Sequence, residues 1–154
     1  MRPTSWRTLV LIAVVAGLAT YTLFQAEYGS LPPLPRTIAP SVFLLAVAEL
    51  FLAPSLRARL QGKPGTKPVL PIAVAKTAAF AKASSVLGAL VAGCLGGVEV
   101  YALSRWDVPA ARTDGIRAAV GLGCALLLVA AALRLENVCR VPKPPDPPPA
   151  EPGP

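Results

Sequence analysis

Three ionisable side chains stand deep in apolar stretches of this sequence: Glu49, Lys82 and Glu99. If those stretches cross a bilayer, each charge is expensive. A charged group near the centre of a membrane helix costs roughly 2.5–3.5 kcal/mol on insertion scales, so such groups pair or face the protein interior. Glu49 precedes Pro54 by five residues and Lys82 follows Lys76 by six. At about 1.5 Å per helical residue, both lie roughly 8–9 Å inside the same membrane boundary. The connector between their two segments is short, which predicts antiparallel neighbouring helices and a Glu49–Lys82 ion pair at matched depth. Helical spacing gives each charge a small-residue surrounding. Lys82, Ala89, Gly93 and Gly97 form one stripe with Ser85 and Val86 beside it, and Glu49 shares a face with Val42, Ala46 and Ala53. Gly93-x-x-x-Gly97 is a seam along which another helix can approach closely. A buried pair of this kind is weak evidence for chemistry, so its expected role is to fix which helices meet and in what register.

Two further positions are secondary candidates. Glu99 falls about 100° around the helix from Lys82, one turn from the opposite end of its segment, where an interfacial pair with Arg36 or Arg105 is expected. Glu136 and Arg140 are spaced i, i+4, an ordinary helix-end stabilising pair. No catalytic, cofactor-binding or metal-binding set is expected. The sequence has no histidine, and its acids are scattered singly. Its three cysteines, Cys94, Cys124 and Cys139, have no metal spacing and read as small packing residues. No cofactor is expected.

The elements that must position these residues are four apolar runs in 154 residues, 54% hydrophobic and 15% charged, with a mean hydropathy of +0.57. A soluble domain carries about 25% charged residues. The spacing predicts an all-α membrane protein: four transmembrane helices over about 7–27, 37–56, 71–103 and 116–138, forming a small antiparallel bundle within residues 1–140. Thr8 to Ala26 is 19 residues without a charge, about the hydrocarbon thickness, and is read as an uncleaved span. Pro40 suits the first turn of the second helix, whereas Pro54 should kink or stop it. The third segment is longer than a straight span needs, so its basic end, with Lys76 and Lys82, should protrude or tilt. The fourth run between Arg117 and Arg134 is short, and snorkelling arginines would extend it. Between the first two helices, Pro32, Pro33 and Pro35 predict a stiff extended connector. Trp6 and Trp106 stand where interfacial aromatics stand. Residues 141–154 hold eight prolines in 14 positions and are expected to be a disordered tail.

The net charge of +7 does not indicate nucleic acid, because the basic residues flank the apolar runs and form no continuous face. They are topology signals, and they attract anionic headgroups. Four spans put both termini and the second connector on one side, with 11 of the Lys and Arg residues; the other side carries Arg36, Arg105, Arg112 and Arg117. The positive-inside rule then predicts cytoplasmic termini.

Four segments carry a family resemblance: Tyr28-Gly29-Ser30-Leu31-Pro32-Pro33-Leu34-Pro35, Ala46-Val47-Ala48-Glu49, Ala81-Lys82-Ala83-Ser84 and Leu135-Glu136-Asn137-Val138-Cys139-Arg140-Val141-Pro142. In this order and spacing the chain, from about Pro3 to Pro142, resembles an actinobacterial membrane-protein family, Domain of Unknown Function 3180. The resemblance implies a four-helix plasma-membrane protein and brings no activity with it. The expected function is that of a non-enzymatic scaffold or an accessory or assembly subunit. Its partners would be the lipid bilayer and a membrane protein or a second copy of the chain. The alternative is a small oligomeric transporter or channel using Glu49, Lys82 and Glu99.

Overall fold

The computed structural model describes residues 5–27, 35–60 and 71–139. The proline connector 28–34, the basic connector 61–70, Arg140 and the tail 141–154 lie outside the described residues. The described residues form four helices: α1 (Trp6–Glu27), α2 (Ile38–Leu60), α3 (Pro71–Ser104) and α4 (Pro109–Val138). Each is long and apolar enough to cross a membrane. A helix closes its backbone hydrogen bonds within itself, which hydrocarbon demands of any segment crossing it.

Two boundaries differ from those read in the sequence. α2 does not stop near residue 56 but continues through Pro54 to Leu60. Pro54 sits on the exposed side, while Ala53 and Leu56 are buried in a cluster with Leu135 and Cys139 of α4. Packing on both sides of the proline holds the helix through the missing hydrogen bond. α4 begins at Pro109, seven residues before the expected 116. Arg112, Asp114 and Arg117 look like a loop in sequence, yet they occupy the first turns of this helix. Pro109 supplies a start without an orphan donor, and the Thr113 hydroxyl donates to the Pro109 carbonyl at 2.9 Å. The added turns bury Ala111, Asp114 and Gly115, and Arg117 closes a 3.5 Å ion pair with Asp114.

The helices pack in the order α1–α3–α4–α2. α3 and α4 are antiparallel, with a register set by glycine contacts: Gly88 lies against Ala125 and Val129, Gly121 against Leu95, and Gly115 against Ala102. α1 runs parallel to α3, where Gly93 meets the backbone of Ala13 and Gly97 meets that of Gly17. At one end, Ala53 and Leu56 of α2, Val74 and Ala81 of α3, and Leu135 and Cys139 of α4 share a cluster. At the other, Leu95, Val98 and Ala118 gather Phe24 and Ile38, and Phe24 meets Tyr101 edge-to-face at 5.8 Å. α4 therefore stands between α2 and α3 over most of their length. The expectation that α2 and α3 are close neighbours because their connector is short is corrected by this order. α4, with Ala118, Gly121, Ala125, Ala131 and Ala132 buried, takes the position beside each of them.

Candidate functional site

Glu49 is the most enclosed acid among the described residues, only 1% exposed. The stripe read in the sequence positions it: Ala46 and Ala53, one turn away on either side, are buried with it. α2 shares a cluster with Leu135 and Cys139 through Ala53 and Leu56, so one turn further along, Glu49 faces the level of Ala131 and Ala132. The α3–α4 register brings Ser84 and Ser85 to that same level. All four of these small residues are buried. Alanine at 131 and 132 leaves room for the Glu49 side chain to pass α4 toward α3, where the Ser84 hydroxyl stands beside its carboxyl. The two groups are close but not aligned, and neither Glu49 carboxyl oxygen has a hydrogen-bond partner of good geometry. Ser85 is committed elsewhere, its hydroxyl donating to the Lys82 carbonyl at 2.8 Å.

The structure does not bring Lys82 to Glu49. Lys82 is exposed and makes no ion pair among the described residues. There are two physical reasons. Ser84, which faces Glu49, is about 200° around α3 from Lys82 at 100° per residue. The seam on which Lys82 lies is taken by α1, and only over its outer part. Ala13–Gly93 and Gly17–Gly97 set an offset of 80 in residue number, so the level of Lys82 falls before Trp6, where α1 begins. Ala89, Gly93 and Gly97 are all buried along that seam.

Glu99 is half-buried and does not pair with Arg36 or Arg105. Its Oε2 lies 3.9 Å from the point a Cβ on Gly115 would occupy, and that oxygen is buried without a hydrogen bond. The early start of α4 explains the difference, because Gly115 and its neighbours cover the carboxyl where the sequence suggested an open loop. Glu136 is half-buried beside Cys139; its proposed partner Arg140 lies outside the described residues. Burial, and then the Glu136 charge, push the Cys139 thiol above its ordinary pKa. Among the described residues no three His, Cys, Asp or Glu side chains gather as a metal site. Sequence reasoning missed Ser84 as the polar neighbour of Glu49; the signal available was its spacing of three from Ala81 and four from Gly88 on the inner face of α3.

A family model described as a protein of unknown function, DUF3180, matches residues 9–143. That span takes in the four helices from Leu9 onward. The chain belongs to the DUF3180 family. No curated protein and no solved structure gives a match to this DUF3180 member. The family match and the four apolar helices together make it a multi-pass membrane protein.

Proposed function

We propose that this DUF3180 member is a non-enzymatic accessory or assembly subunit of the plasma membrane, with both termini and the 61–70 connector in the cytoplasm. The observation that supports the reading is the row order of the helices. α1 and α2 stand at the two ends, and α1 buries a single residue, Leu9. Long apolar flanks of both helices face outward, including Val14, Leu18, Leu44 and Phe51. In lipid such flanks gain nothing from burial as such, but they can pack laterally against another protein. The charge distribution, with 11 of 15 basic residues on the side of the termini, supports the orientation. The test is crosslinking in native membranes followed by affinity isolation of the intact chain. A stoichiometric membrane-protein partner is expected, and recovery of the chain alone would overturn the reading.

A second reading, a small oligomeric transporter or channel, is favoured by one observation: Glu49 is enclosed at the α2–α4–α3 junction and forms no ion pair among the described residues. Purified protein in liposomes should then show proton or cation flux that Glu49→Gln removes. The absence of any Glu49-dependent flux would leave the subunit reading alone.

A further inference from the structure

At the end of the molecule opposite the α2–α4–α3 junction, a half-open groove of about 200 Å³ lies between the start of α2, the outer half of α3 and the start of α4. Its chemistry is graded. Arg36 and Arg117 stand at its lip, and Ile38, Leu95, Ile116 and Val120 form its walls. Arg36 precedes α2 by two residues, so it sits at the level where the span leaves the hydrocarbon. Val120 lies almost one turn below Arg117 on α4, about 4.5 Å deeper, and Leu95 lies one turn inward of Glu99 on α3. Two guanidinium groups at the interface, beside an apolar groove, match the polarity of one kind of molecule.

We propose that this groove is a binding site for a single anionic phospholipid, its phosphate held by Arg36 and Arg117 and the upper part of one acyl chain lying along Ile116, Val120 and Leu95. Charge complementarity selects the headgroup, and the apolar walls select a diacyl lipid over a soluble phosphate ester. Arg117 also pairs with Asp114 at 3.5 Å. A guanidinium carries five N–H donors, so holding one carboxylate is compatible with contacting a second anion, and the pair fixes the direction of the side chain. Arg36 is exposed and supplies the second charge. The site does not depend on whether the chain is a subunit or a transporter.

Native mass spectrometry of the full chain in mild detergent, with dioleoylphosphatidylglycerol or dioleoylphosphatidylcholine added, tests the assignment. Retention of the anionic lipid should exceed that of the zwitterionic one, and Arg36→Gln should reduce the anionic retention about fivefold, as one interfacial arginine contributes. Val120→Trp, at a position 57% exposed and therefore tolerant of size, should fill the groove and reduce retention of the bound lipid while the melting temperature stays unchanged. Arg57→Gln, at the other end of α2, should have no effect. Equal retention of the two lipids, or an anionic preference untouched by Arg36→Gln, would overturn the headgroup assignment. Displacement of the lipid by glycerol phosphate as effectively as by the diacyl lipid would overturn the membrane source. Unaltered retention in Val120→Trp would overturn the acyl-chain position.

Discussion

At the residue scale, Glu49 and Lys82 part company. A buried carboxyl without a well-made hydrogen bond costs about 1–3 kcal/mol. Glu49→Leu should therefore leave the protein as stable in detergent as the parent chain or more so, read as an unchanged or higher melting temperature. Lys82→Ala, at an exposed position without an ion pair, should fall within about 0.5 kcal/mol of the parent. Equal and substantial losses from both substitutions would mean that the two charges do pair. Cys139 offers a separate readout. Its thiol titrates above the usual range, so the thiolate that reacts with maleimide forms only at higher pH. Labelling of Cys139 in the folded protein should be slow at neutral pH and rise at a higher pH than in the denatured chain. A folded-state profile superimposable on the denatured one would contradict the burial.

The elements meet through glycine and alanine, and the seam tolerates no added atoms. A Cβ on Gly93 would collide with the Ala13 carbonyl, and one on Gly97 with that of Gly17. Both obstacles are backbone, which cannot rotate away as a side chain can. Gly93→Ala should therefore destabilise the α1–α3 contact by about 1–3 kcal/mol, the ordinary range for overpacking. Gly96 provides the control, because nothing lies within 4 Å of its added Cβ. Gly96→Ala should be neutral or slightly stabilising, since alanine is the better helix former. Chemical denaturation of the two variants side by side in one detergent checks the pair, and equal behaviour would refute the close α1–α3 approach. The long α4 follows the same logic. Its first turns are polar in sequence but small on one face, with Ala111, Gly115 and Ala118 buried.

For the whole molecule, the testable statement is the order α1–α3–α4–α2. Leu56 and Cys139 lie in one cluster. A chain carrying Leu56→Cys, with Cys94 and Cys124 replaced by alanine, should crosslink internally to Cys139 with a short bifunctional maleimide at a pH high enough to form the Cys139 thiolate. The same chain with Trp6→Cys in place of Leu56→Cys should not, because Trp6 is 71% exposed on α1, and α1 packs on α3. Internal crosslinking through Trp6→Cys, or none through Leu56→Cys, would contradict the order. An open row also bears on the surroundings the protein needs, because the end helices must meet lipid or protein along most of their length.

What the sequence by itself determined was the four apolar helices and the small-residue groups on them, although Lys82, read onto one such stripe, is exposed. Uncharged runs of membrane length leave the backbone no alternative to helix, and helical spacing alone groups Val42, Ala46, Glu49 and Ala53, or Ala89, Gly93 and Gly97. The sequence also carried the family resemblance, which the match over residues 9–143 supports. Only the tertiary structure decided which face meets which. A short connector brings two helix ends together, but it does not choose the partner along their length. That choice depends on where small residues let backbones close up, and here α1 took the Gly93–Gly97 seam while α4 took the place between α2 and α3. Glu49 then reached Ser84 and not Lys82, because side-chain proximity between helices follows from the summed packing of whole faces, which no local spacing encodes.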